Sequence, residues 1–413
     1  MIKKLLTVIL ILSLLTVAGC SSINTGDTTL NTEAQKKKEN NNIEPFSLNN
    51  NEDQISYAAI PCSVPSKDSS NITSNRIKGK INNIYYAHGN KVLLSADNLY
   101  LYDIAARNII AEATQEAFRQ AKCFSINKGY VLFEEVQSSN KSSTSMSGGQ
   151  SKYKFIFYDL NLKKVSEFDF SKVTNNEIII SPDSIDFSTD GNQVIFSTFQ
   201  GLYLYDFKQA KKTTVIDLKS NNYKARSGIS LIEQLGFTNN DKSIAFKAQS
   251  FTVPPIAGKP SFDTYGMVNA NGSRLINKKA NNFSVKQLTA YNQFLLFAED
   301  FTCPTGKLII MNVANGSTKI HKLSEKKESI NLSGSDGGNF FATSILTSTG
   351  WKIRIYNTET GKLVSNQIVS CDGKNSYTVK DPIIKVIDSS KTCIVLLKSS
   401  QSNVTPKAIT IKF

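Results

Sequence analysis

The chain has 413 residues, 40% of them apolar and 20% charged, a balance that suits a large folded core rather than a disordered chain. Its formal charge is +14, which points to partners of opposite sign. There are only two histidines, His88 and His321, which makes a multi-His zinc site or a Ser-His-Asp triad improbable.

The first segment pairs Lys3 and Lys4 with an apolar run from Leu5 to Val17. That run is short of the roughly 20 apolar residues a membrane-spanning helix needs. It ends in Leu15-Thr16-Val17-Ala18-Gly19-Cys20. This resembles the lipobox of bacterial lipoproteins, where small residues fit the peptidase and the thiol takes the lipid. The resemblance implies a signal peptide over 1–19 and a lipid on Cys20. It further implies attachment to the cell membrane, facing outside the cytoplasm in the bacterial envelope.

Residues 20–54 read as a disordered tether. Asn, Ser, Thr, Lys and Glu dominate, as in KKKENNN and SLNNNED, and isolated apolar residues cannot offset the ordering entropy. As a flexible coil such a stretch spans on the order of 30 Å. The triplet Lys36-Lys37-Lys38 is a solvated charge run that could also touch anionic lipid.

From Ile55 a repeat takes over. Its clearest copy is Ser184 to Leu218, which reads as four short strands joined by tight turns. Asp190-Gly191 closes the first hairpin and Gly201 turns the chain into LYLYD. The two middle strands, QVIFSTF and LYLYDF, are apolar on both parities, so both their faces must be covered. The last strand is the most hydrophilic and suits an outer edge. Such a unit is one blade of a β-propeller.

The same grammar recurs in LYLYDIAARNII, FIFYDLNLKKVSEF, YGMVNANGSRLI, LIIMNVANGSTKI and IRIYNTETGKLV. In each, a strand ends in a bulky residue, then Asp or Asn caps a turn with its own side chain. A seventh apolar strand, CIVLLKS, is followed by KAITIKF at the end of the chain. The predicted fold is therefore all-β: one propeller over 55–413, with seven four-stranded blades and six or eight as the alternatives. The seventh unit lacks an outer strand, and Ile55 to Ile60 (ISYAAI) is the expected donor, which would close the ring.

FSTDGNQVIF resembles the F-S-P-D-G-x-x-I-A-F repeat of TolB-like, WD40-like propellers, and FTNNDKSIAF is a degenerate second copy. The likeness covers two units and is topological elsewhere. It implies the fold and an extracytoplasmic setting, and carries over neither a partner nor a catalytic residue.

Loop lengths separate the two faces of the expected ring. Turns joining strands one to two and three to four are short. Segments joining strands two to three, and blade to blade, are enlarged on the opposite face: 137–152, 249–262 and 217–230. Rigid scaffolds place function on such loops. Lys219, Tyr223, Lys224 and Arg226 in one loop, with Lys141 and Lys259 in its neighbours, form the expected cationic face with an aromatic platform. The tether carries more acids than lysines, so the positive excess lies on the propeller. The expected ligand is an anionic envelope polymer or a protein partner, bound by a monomer. The extracytoplasmic address argues against nucleic acid.

Little in the sequence speaks for catalysis. Glu134-Glu135 and Glu299-Asp300 are adjacent carboxylates, but neighbours on a strand point to opposite faces and make no dyad; solvated or hydrogen-bonded side chains account for them. No calcium loop or phosphate loop is evident, and no cofactor or metal is expected. Besides Cys20, five cysteines remain: Cys62, Cys123, Cys303, Cys371 and Cys393. Cys303 and Cys371 fall in enlarged loops of neighbouring units and are the disulfide to test first, with buried single thiols as the equal alternative. A non-enzymatic binding or scaffolding module is the favoured reading. Its rivals are an extracytoplasmic enzyme acting on an anionic polysaccharide, and an accessory subunit of a transporter or signalling complex.

Overall fold

The computed structural model describes residues 44–45, 57–59, 62–63, 77–114, 118–136, 152–250, 262–280, 285–290, 294–299, 307–322, 331–348, 350–370, 381–398 and 406–413. Seven four-stranded antiparallel meanders follow one another along the chain, at 83–113, 118–169, 185–217, 231–279, 285–322, 331–370 and 383–412. They are blades 1 to 7 of a β-propeller. The seventh has three strands of its own, and Tyr57–Ala59 supplies the fourth. Tyr57 pairs with Ile411, Ala58 with Thr410 and Ala59 with Ile409. The predicted closure by the N-terminal chain is thus present, within the expected ISYAAI segment.

Two short pairings were not anticipated. Glu44–Pro45 lies in the stretch read as tether, yet it runs parallel to the outer strand Thr318–Lys322 of blade 5. The outer edge of a blade has free backbone groups, and an extended dipeptide suffices to pair with two of them. Cys62–Ser63 pairs in parallel with Ile77–Lys78, just before blade 1.

Hydrophobic burial explains why the middle strands are apolar on both parities. The core is seven seams, one between each pair of neighbouring blades. Residues of alternate parity on one strand enter different seams. In blade 1, Leu94 and Tyr100 face blade 7 while Leu93 and Leu101 face blade 2. The seam between blades 2 and 3 is the most aromatic: Phe155 lies 4.5 Å from Phe170 and 4.9 Å from Phe187, ring centre to ring centre. Edge-to-face and tilted pairs of this kind add about 0.5–1.5 kcal/mol beyond burial. Outer strands are wetter, as expected; Lys164–Asp169 of blade 2 has no buried residue.

The turn chemistry follows the sequence closely. Asp103 Oδ1 accepts the backbone N–H groups of Ala105 and Ala106, each at 2.8 Å. Asp206 does the same for Lys208 and Gln209, and Asp159 for Asn161 and Lys163. Asn312 and Asn357 cap the equivalent turns of blades 5 and 6. These turns need a residue at positive φ. Gly316 (72°) and Gly361 (68°) meet that need without strain, whereas blades 1 to 3 force Arg107 (55°), Leu162 (59°) and Ala210 (48°) into it.

Candidate functional site

The ring has two faces. The enlarged-loop face is described chiefly at blades 2 to 4. There, 217–230, read from sequence as a loop, contains the helix Asn221–Ser227. Ser220 caps its N-terminus by accepting the Tyr223 N–H at 3.3 Å, and Gly228 (φ 68°) ends it by donating to Lys224 O. Asn277 of blade 4 donates to Ser227 O at 2.7 Å and fixes the helix to the ring.

This helix orders the sequence-predicted residues. Lys219 and Arg226 are exposed and Lys224 is half-buried. Tyr223 departs from the expected open platform: it is half-buried against the seam between blades 3 and 4, and that burial raises its phenol pKa. Among the described residues the exposed aromatic is instead Phe199, 46% exposed in the tight turn between the second and third strands of blade 3. Ile178, 52% exposed, stands beside it through the isolated bridge between Ile179 and Thr198. Beneath them Lys212 lies 4.4 Å above the Tyr203 ring and donates to Val173 O at 3.1 Å. Burial lowers its pKa, opposed by the nearby Glu177. Lys141, Lys259, Cys303, Cys371 and Cys20 lie outside the described residues.

The inner rim carries polar side chains that sequence reasoning missed. Lys122 of blade 2 donates to Ile185 O of blade 3 at 3.3 Å. Asp186 of blade 3 accepts the Phe237 N–H of blade 4 at 2.8 Å. Gln234 of blade 4 accepts from Leu288 N, Gln287 of blade 5 from Leu332 N, and Ser333 of blade 6 donates to Ile384 O. Blades 2 to 6 thus each hold the innermost strand of the next. The available signal was a polar residue interrupting an apolar innermost strand, as in SIDFS and LIEQLGF. Two charges stand out at this rim. Burial pushes the Asp186 carboxyl up to about 6, with Lys122 opposing. Lys385 of blade 7 has its pKa lowered by burial, and Lys122 adds to the shift.

The remaining candidates are placed as follows. Glu134 and Glu135 are not solvated: they are 1% and 8% exposed, because the second strand of blade 2 is covered on both faces. The Glu299 side chain and Asp300 lie outside the described residues. His88 sits at the end of the innermost strand of blade 1, with Nδ1 2.6 Å from Asp336 Oδ2 of blade 6. His321 is in the outer strand Thr318–Lys322, as expected. Cys123 and Cys393 are free and buried, and burial raises both thiols, Cys393 to about 12. Among the described residues no group of three or more His, Cys, Asp or Glu could hold a metal ion. No described helix is long and apolar enough to cross a membrane.

The architecture is that of a seven-bladed β-propeller. Among solved structures the chain is similar to the β-propeller domain of Myceliophteria thermophila Cps50 (Swd1), with a TM-score of 0.52 and 11% identity. That likeness covers 81% of this chain and 99% of the other, and it concerns the fold. No protein-family profile matches the sequence, and no curated protein does.

Proposed function

We propose that the protein is a lipid-anchored propeller outside the cytoplasm that binds an anionic envelope component through its enlarged-loop face, without catalysing a reaction on it. The anchor rests on the lipobox-like run ending in Cys20. The observation that carries the binding reading is the capped helix Asn221–Ser227, which carries Lys224 and the exposed Arg226 shortly after Lys219; the same segment is tied by Leu218 N to Gln200 O at 2.8 Å, in the turn that exposes Phe199. Cations on a segment tied to a turn that exposes an aromatic side chain suit an acidic partner that also offers apolar surface. The local acids are engaged: Asp217 accepts Lys219 N at 2.9 Å and Glu177 accepts from Thr198 Oγ1 at 2.6 Å.

Binding to delipidated envelope polymer tests the reading. Reversing Lys219, Lys224 and Arg226 to Glu, with Phe199→Ser, is expected to abolish it. Reversing Lys91, Lys211 and Lys362 on the opposite face is expected to leave it. Equal loss in both variants would mean that charge acts globally and that the face is not a site.

A further inference from the structure

On the short-turn face, charges of opposite sign are separated by depth. Its carboxylates are mostly half-buried and engaged in hydrogen bonds. Besides the capping Asp103, Asp159 and Asp206, Asp190 accepts from Asn192 N, Asp241 from Thr189 N, and Asp336 from Asp388 N. Asp190 and Glu359 are the exposed acids among the described residues of this face. The cations do the opposite. Arg107, Lys163, Lys208, Arg274, Lys319 and Lys362 stand in or just after the turns between the third and fourth strands of blades 1 to 6, and all are exposed. Lys91, Lys128, Lys242 and Lys391 are exposed at the first turns of blades 1, 2, 4 and 7. Every blade therefore contributes.

The face is also held in shape. Asn127 N donates to Thr189 O at 2.8 Å, Arg274 Nη2 to Ala314 O at 2.9 Å, and Ser390 Oγ to Gly89 O at 3.0 Å, each between neighbouring blades. Leu160, 51% exposed, stands in the turn between the third and fourth strands of blade 2, and Val165 and Val364 are exposed just after such turns in blades 2 and 6.

We propose that the short-turn face lies flat against an anionic lipid bilayer, with the enlarged-loop face pointing away from it. A linear polymer would contact a stripe or groove of such a ring. A plane contacts cations of all seven blades together. Each Lys or Arg close to an anionic leaflet is worth about 1 kcal/mol, so several acting at once hold a domain that one would not. The proposal takes from the anchored reading only that such a surface is within reach.

The test uses the full chain and a membrane-impermeant amine-acylating reagent, with each lysine followed by peptide mass spectrometry. On phosphatidylglycerol vesicles, acylation of Lys91, Lys128, Lys208 and Lys362 is expected to fall several-fold, while Lys219 and Lys224 keep their rates. On phosphatidylcholine vesicles, or in about 0.5 M salt where screening is short-ranged, the protection is expected to vanish. Reversing those four lysines to Glu is expected to lower vesicle affinity by on the order of 100- to 1000-fold at unchanged Tm. Equal protection of both faces, or none on the anionic vesicles, overturns the proposal. Equal protection by polyphosphate at matched charge also overturns it, in favour of a soluble polyanion. In Cys20→Ser the pattern of protected lysines decides the orientation, while the bound fraction decides the anchor.

Discussion

Asp388 and Asn339 are joined by two hydrogen bonds: the Asn339 N–H and Nδ2 donate to Asp388 Oδ2 at 3.0 and 2.9 Å. They belong to the first turns of blades 7 and 6. Asp241 of blade 4 does the same for blade 3, accepting from Thr189 N at 2.8 Å and from its hydroxyl. One carboxylate in the later blade thus holds the hairpin of the earlier one. Asp388→Ala leaves the Asn339 N–H without its acceptor and is expected to cost about 1–3 kcal/mol, read as a lower urea midpoint. Asp241→Ala is expected to cost a similar amount. The two sites are far apart in the ring, so the double variant should show the sum of the single losses. A clear departure from additivity would show that the turns act as one network.

Gly337 sits against the same carboxylate. A Cβ there would collide with Asp388 Oδ2 and come within 3.1 Å of its carboxyl carbon. Gly337→Ala is therefore expected to lower Tm in the wild-type background and to cost much less in Asp388→Ala, where the obstruction is gone. An equal cost in both backgrounds would place the strain elsewhere.

Ring closure predicts a strong asymmetry between two deletions. Removing 55–61 strips the outer strand of blade 7 and takes away the strand partner of Ile409, Thr410 and Ile411. A loss of several kcal/mol is expected, as a large drop in Tm. Removing 21–43 is expected to leave Tm where it was. Equal values would count against closure by the N-terminal strand.

Asp186 gives a pH dependence whose sign can be stated. Its carboxyl is held at about 6 by burial, above the value near 3.9 of an unfolded chain. Between those values the folded state binds the proton more tightly. The group's contribution is fully present below about pH 4 and is lost as pH rises through 6. Asp186→Asn removes that loss and keeps an acceptor for Phe237 N. Its stability relative to wild type is expected to rise from pH 4 to pH 7, measured as urea midpoints. A difference that does not change with pH would mean that Asp186 does not titrate in this range.

Cys20→Ser tests the anchor. The variant is expected to move from the membrane fraction to the soluble fraction of cells. Continued sedimentation with membranes in high salt would count against a lipid on that residue.

The blade unit was legible in the sequence because it is written in local chemistry. An Asp or Asn at the end of a strand caps its own turn within a few residues, so LYLYDIAARN already contains the geometry found at Asp103. Strands apolar on both parities announced coverage on both faces, and the missing outer strand of the last unit pointed back to ISYAAI. What lay between blades was not legible. Neighbouring blades meet through residues about 50 positions apart, as in Asp186 with Phe237, and neither member carries a mark of the other. The helix Asn221–Ser227 is seven residues long, about two turns, and has weak propensity in Asn-Asn-Tyr. It stands because Tyr223 packs into a seam and because Ser220 and Gly228 cap it; those caps were the one readable sign. The depth of each charge was likewise decided by tertiary structure. The caps made by Asp103, Asp159 and Asp206 are local, but the bonds that engage Asp241, Asp336 and Asp388 across neighbouring blades exist only in the closed ring.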